Sequence, residues 1–235
     1  MEIGSVVYRI DASAAELERP APGLHCRCDR MAVGGFRRNE RRPPRSSVAL
    51  LLVDVINDMD FEGSGPLVRQ AVRMAPRLAA LKARAARAGV PVIYINDNFG
   101  QWQSDFRRLV EHCVDDDVPG RDVARMLRPS EEDYFVLKPK HSAFFGTTLD
   151  TLLAFLGTRT IVLTGIAANI CVLFSANDAY MRDFALFVPR DCTVSNTRRE
   201  NTYALKQMQT VLKADIRPSS AIRFRSLETR RRTRT

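Results

Sequence analysis

No apolar run in this sequence approaches the roughly 18 residues that a membrane-spanning helix needs, so no membrane role is expected. Cysteine is sparse: five residues, an odd and scattered set, which argues against a disulfide framework. Cys26 and Cys28 form a C-x-C with no matching second pair, a weak metal signal. Histidine is scarcer still, with His25, His112 and His141 alone. The acidic loop Asp115-Asp116-Asp117 is not followed by EF-hand spacing. No metal and no other cofactor is therefore expected. Met1 to Asp11 has neither the basic start nor the apolar centre of a secretory signal, and the expected location is cytoplasmic. A mostly disordered chain is excluded by the 45% hydrophobic content.

The net charge of +9 raises the question of a nucleic-acid partner. Residues 1–47 hold nine Arg against six acids, and residues 217–235 hold seven Arg against one acid. What lies between, residues 48–216, is balanced. A basic domain face, the footprint of a nucleic-acid binder, is not indicated. The expected organisation is a flexible Arg-rich extension over 1–47, one folded domain over 48–216, and a solvated basic tail over 217–235.

Within the domain, short apolar runs alternate with helical patterns. Val48 to Val53 is continuous and apolar, as in a parallel strand buried on both faces. Leu67 to Ala88 follows as an amphipathic helix, stopped by Gly89. Pro91 to Ile95 reads as a second strand, Phe106 to Cys113 as helix, and Tyr134 to Leu137 as a third strand. Leu149 to Phe155 reads as helix. Thr160 to Thr164 is a fourth strand that turns at Gly165 into a helix through Tyr180. Ala185 to Val188 is a fifth strand, Arg198 to Lys213 a helix, and a last short strand is expected near Ile216. This alternation predicts an α/β fold, a parallel sheet with helices on both faces.

In such a sheet the carboxyl ends of the strands form the ligand edge. Asp54, Lys138 and Cys171 each follow a different strand and converge there. A carboxylate, an ammonium and a thiol are the parts of a nucleophilic site: the carboxylate takes the thiol proton, and the thiolate attacks a carbonyl. A helix N-terminus and a nearby cation both favour thiolate over thiol, so Cys171 is expected to be the most reactive cysteine. Taken singly, each residue also has a plain structural reading: a turn cap, a snorkelling lysine, a buried small residue.

Three segments carry a family likeness. They are Leu50-Leu51-Leu52-Val53-Asp54, then Val136-Leu137-Lys138-Pro139-Lys140-His141-Ser142-Ala143-Phe144-Phe145-Gly146-Thr147, then Leu163-Thr164-Gly165-Ile166-Ala167-Ala168-Asn169-Ile170-Cys171-Val172. With them, residues 48–215 resemble the isochorismatase-like cysteine hydrolase superfamily. The resemblance implies a three-layer α/β/α fold with a six-stranded parallel sheet in order 3-2-1-4-5-6. It implies the triad Asp54, Lys138, Cys171. It implies a cis peptide at Ile166–Ala167 and an oxyanion hole from the backbone N–H groups of Ala167 and Cys171. It also implies a homodimer or homotetramer. Two departures stand out. Ala168 replaces the usual threonine, and the Asp-x-His pair with further histidines that holds a metal in the nicotinamidases is absent.

The expected activity is hydrolysis of a C–N bond in a small amide-type substrate, through a thioester on Cys171. Phe61, Asn98, Trp102 and Phe144 are the expected substrate wall. Two alternatives stay open: a vinyl-ether hydrolase of the isochorismatase type, which needs no cysteine, and a catalytically silent binding or scaffold protein.

Overall fold

The computed structural model describes residues 45–98 and 105–229. The extension up to residue 44 and the expected wall residue Trp102 lie outside the described residues.

The sheet grows from its most apolar strand. β1 (Val48–Val53) has no exposed residue, and its side chains alternate between two cores, as the two-residue period of a strand requires. Leu50 and Leu52 face one layer, where Leu67, Ala71, Met74, Leu78 and Leu81 of α1 (Gly65–Arg87) pack with residues of α2 (Phe106–Asp115) and α3 (Arg121–Met126). Leu51 and Val53 face the other, packed with α4 (Leu149–Leu156), α5 (Leu173–Met181) and α6 (Arg198–Thr210). Each such leucine removed from water contributes about 1.5–3 kcal/mol. Residues buried on both faces leave β1 no position at the edge of the sheet.

β1 pairs in parallel with β2 (Val92–Asp97) on one side and β4 (Thr160–Ile166) on the other. β2 carries β3 (Tyr134–Lys138), and β4 carries β5 (Ala185–Phe187), giving the order β3-β2-β1-β4-β5. The sixth strand differs in detail from the expectation. β6 (Thr193–Val194) pairs with Gly165 and Ile166 at the far end of β4. The strand expected near Ile216 is reduced to a single parallel bridge between Phe187 and Asp215.

The C-terminal segment corrects the expectation of a solvated tail from residue 217. Ser219 donates its backbone N–H and its hydroxyl to Asp191, and its carbonyl accepts from Arg84. Ile222 and Phe224 are buried in the α1 layer, 2% and 4% exposed. Two apolar anchors and a bonded turn hold the chain down despite the arginines around them. A helix α7 (Phe224–Thr229) follows.

Candidate active site

Asp54 is the first residue beyond β1. Its N–H donates to the Ile95 carbonyl at 2.7 Å, carrying the ladder one residue past the strand. Its φ of 51° lies in the left-handed region, which aspartate tolerates better than most residues. The side chain is held at both oxygens: Oδ1 accepts from the Asp97 N–H at 2.8 Å, and Oδ2 meets Lys138 Nζ at 3.0 Å.

Lys138, the last residue of β3, is fully buried. Its Nζ lies 3.0 Å from Asp54 Oδ2, 3.1 Å from Asp97 Oδ2 and 3.5 Å from Cys171 Sγ. An ammonium has three donors, and these three partners occupy them. A charge this deep is tolerated because it is paired and hydrogen-bonded. Strand register explains the second carboxylate: Asp97 is the partner of Lys138 across β2 and β3.

Cys171 is delivered by β4. Gly165 sits at φ 116°, and a Cβ there would come within 2.0 Å of the Val53 carbonyl oxygen. Only glycine allows β4 to run this close to β1 and then leave the sheet. The Ile166–Ala167 peptide is cis. A π-helical turn over Ala168–Val172 then places Cys171 ahead of α5. Ser175 ties that turn to the loop after β3: its hydroxyl donates to the Cys171 carbonyl at 2.6 Å and accepts the Ala143 N–H at 2.9 Å. Ser142 of the same loop donates to Asp178 on α5. The pinned loop sets His141 with Nδ1 3.9 Å from Cys171 Sγ and its ring 5.5 Å from that of Phe174.

The electrostatics correct the expected thiolate. Burial first, and the Asp54 charge second, push the Cys171 thiol up to about 12; Lys138 pulls the other way without prevailing. Burial also raises the Asp54 carboxyl, against the cation of Lys138 and the hydrogen bonds from Cys171, Lys138 and the Asp97 N–H. For Lys138, burial disfavours the charged form, but Asp54, Cys171 and Asp97 together raise it above the ordinary lysine value. The thiol form is thus favoured at Cys171, beside the Asp54–Lys138 pair. The thiols of Cys113 and Cys192 are likewise pushed up to about 12, chiefly by burial. What distinguishes Cys171 is access: it is partly exposed, whereas the other two are fully buried.

The expected wall fares differently. Phe61 stands half exposed on the loop after β1. Asn98 is buried, and its N–H donates to the Lys138 carbonyl at 3.0 Å. Phe144 is corrected from wall to core: it is 5% exposed, with the Arg182 guanidinium 4.8 Å above its ring and Phe184 at 6.1 Å. An aromatic next to a site loop fits either place by sequence, and packing under Arg182 decides it. Asp97 and His141 were not expected as site residues. Asp97 directly precedes the expected wall residue Asn98; His141 enters the sequence reading as one of three scarce histidines and as part of the family-like segment after the third strand. Among the described residues no group of three or more His, Cys, Asp or Glu side chains is placed to hold a metal ion.

Residues 48–216 match the isochorismatase domain family over the whole strand–helix alternation described above. The chain belongs to the isochorismatase family. It is 43% identical over 172 residues to the uncharacterized isochorismatase family protein YaaI of Bacillus subtilis, covering 73% of this chain and 94% of that one. The structure is similar to that of the N-carbamoylsarcosine amidase of Thermoplasma acidophilum, with a TM-score of 0.60 and 27% identity over 75% of this chain and 98% of that one. A shorter stretch of 67 residues is 42% identical to the ureidoacrylate amidohydrolase RutB of Methylorubrum extorquens, covering 28% of this chain and 27% of that protein. Within this isochorismatase-family sheet, Asp54, Lys138 and Cys171 stand together at the carboxyl edge.

Proposed function

We propose that this protein is a cysteine amidase that cleaves a non-peptide C–N bond of a small amide-type substrate. The observation that carries the reading is the single ammonium, Lys138 Nζ, held between Asp54 Oδ2 and Cys171 Sγ at 3.0 and 3.5 Å. Similarity to amidases of the isochorismatase family supports it.

Cys171 Sγ attacks the carbonyl carbon while its proton passes to Asp54. A thiol held near 12 needs this base, because little thiolate exists at neutral pH. The raised Asp54 carboxyl suits it to accept a proton and then release it. Lys138 offsets the negative charge that develops on sulfur, and Asp97 keeps Lys138 charged. The backbone N–H groups of Ala167 and Cys171 receive the carbonyl oxygen as it becomes an oxyanion. Collapse breaks the C–N bond; the amine leaves with the proton from Asp54, and the acyl group stays on sulfur as a thioester. Water attacks the thioester, giving a proton to Asp54 that returns to sulfur as the acid departs.

The test is ammonia release from a panel of small amides, N-carbamoyl compounds and ureides, with wild type and Cys171→Ala side by side. Release by wild type alone is expected. Silence across the panel, or release that survives the loss of Cys171, would overturn the reading; silence is the result a vinyl-ether type of site would give, since its reaction breaks a C–O bond and frees no ammonia.

A further inference from the structure

The even charge of residues 48–216 is not even locally. α1 carries Arg69, Arg73, Arg77, Lys82, Arg84 and Arg87 and not one acid. At 3.6 residues per turn the arginines fall within an arc of about 80°, and at 1.5 Å per residue their row is about 27 Å long. The arc turns away from Leu67, Ala71, Met74, Leu78 and Leu81, which pack in the core. Arg69, Arg73, Arg77 and Arg87 are exposed, and among the described residues none of them is in an ion pair. Lys82 lies off the arc, paired with Asp133 at 2.7 Å. Arg84 is half-buried and donates to the Ser219 carbonyl at 2.6 Å, which joins the C-terminal segment to α1. Arg223 of that segment stands exposed between the buried Ile222 and Phe224. The carboxylate of Asp191, near Arg77 and Arg84, is engaged by the Ser219 N–H and hydroxyl. Like charges four residues apart destabilise a helix, so Arg69, Arg73 and Arg77 do not serve the fold.

We propose that this arginine row on α1 is a docking face for the phosphate backbone of duplex nucleic acid. A basic stripe along one helix is the electrostatic footprint of such a partner. The planar fork of arginine takes phosphate oxygens two at a time. Arg69, Arg73 and Arg77 follow one another at about 6 Å along the helix axis, a stiff row that suits the fixed phosphates of a duplex. Pro76 and Ala80, the exposed residues among them, are small enough to let a backbone approach. A single strand needs aromatic rings on which its bases stack, and a membrane surface needs apolar side chains beside the charges. None of the exposed large hydrophobic side chains lies on α1. Contacts to phosphate position a duplex without reading its sequence, so the binding is sequence-independent. The row includes none of Asp54, Lys138 and Cys171, and docking stands apart from the amidase reading.

The test is fluorescence anisotropy of a labelled DNA duplex with the full-length protein, titrated across a range of salt concentrations. Wild type is compared with the triple variant Arg69→Gln, Arg73→Gln, Arg77→Gln. Glutamine keeps the helix propensity of arginine, and a urea melt checks the fold. Each phosphate neutralised adds about 0.9 to the slope of log affinity against log salt. The triple variant should therefore lose about 2–3 from that slope and bind at least about tenfold more weakly near 0.1 M salt. The matching Arg→Lys triple variant, which keeps the charges, should retain most of the slope. Should the glutamine variant melt early, single changes at Arg69, Arg73 and Arg77 are read instead, each lowering the slope by about one. The arginines of residues 1–47 and 230–235 stay in every variant. A slope and affinity unchanged by the glutamines would assign duplex binding to those termini and overturn the proposal. So would a wild type that binds no duplex at about 50 mM salt, where phosphate contacts are strong. Tighter binding of a single strand than of the duplex, or capture by phosphatidylserine vesicles without duplex binding, would overturn it in favour of the other partner.

Discussion

Asp54→Asn separates the two things that Asp54 does to Cys171. As a base it helps the thiol lose its proton during attack. As a charge it opposes a thiolate at rest and is the second cause, after burial, of the thiol being pushed up to about 12. Asparagine keeps the shape and removes both. Lys138 stays paired, because Asp97 remains 3.1 Å from its Nζ, so the variant should fold. The size of the charge effect follows from geometry. Asp54 Oδ2 and Cys171 Sγ lie 3.0 and 3.5 Å from the same nitrogen, so they are at most 6.5 Å apart. At that distance and an effective dielectric of about 20, two unit charges repel by about 2.5 kcal/mol, or about two pK units. Solvent at the partly exposed sulfur weakens this. Alkylation of Cys171 by iodoacetamide at pH 7 should therefore quicken about ten- to a hundredfold in the variant. Turnover should fall about a hundred- to ten-thousandfold with the loss of the base. In wild type the alkylation rate should climb about tenfold per pH unit from pH 7 to 10, since the thiolate fraction rises with pH everywhere below the thiol's own value. Peptide mapping after timed alkylation, with a urea melt to confirm folding, measures all of this. If alkylation slows in step with turnover, Asp54 supports the thiolate, and the thiol-at-rest description is wrong.

Lys138→Met should slow alkylation of Cys171 and cost about 3–5 kcal/mol of stability, because Asp54 and Asp97 lose their shared buried cation; urea unfolding and labelling read the two effects. Phe224→Ala should cost about 3–5 kcal/mol, because Phe224 is 4% exposed in the α1 layer, whereas a solvated tail would lose nothing measurable in the same urea melt. Dialysis against EDTA should leave activity on an amide substrate unchanged, as the absence of the Asp-x-His pair from the sequence implies; activity lost to the chelator and restored by a divalent metal would contradict this.

Residues that end buried runs were the legible ones. Val48–Val53 and Tyr134–Lys138 each close on a charge, and Thr160–Ile166 leads through Gly165 to Cys171; a parallel sheet puts all three ends on one edge. Pairs that depend on register were not legible. Asp97 meets Lys138 because β2 and β3 align those two residues, and no local pattern encodes which residues of separate strands will stand opposite. The thiol was misjudged for a related reason. A helix start and a lysine are visible in sequence, whereas the burial that outweighs them arises only on packing. At the C-terminus the density of arginine masked Ile222 and Phe224, which bury themselves while the charged residues around them stay wet. β6 is two residues long, too short for any period to show.

The central claim is that Cys171 carries the acyl group of an amide during turnover. Acid quench of the enzyme in the steady state with an amide it hydrolyses, followed by intact-mass and peptide analysis, tests this most directly. The account predicts an acyl adduct on the peptide that contains Cys171, removed by hydroxylamine as a thioester is, with neither adduct nor turnover in Cys171→Ala. Turnover undiminished in Cys171→Ala would contradict it.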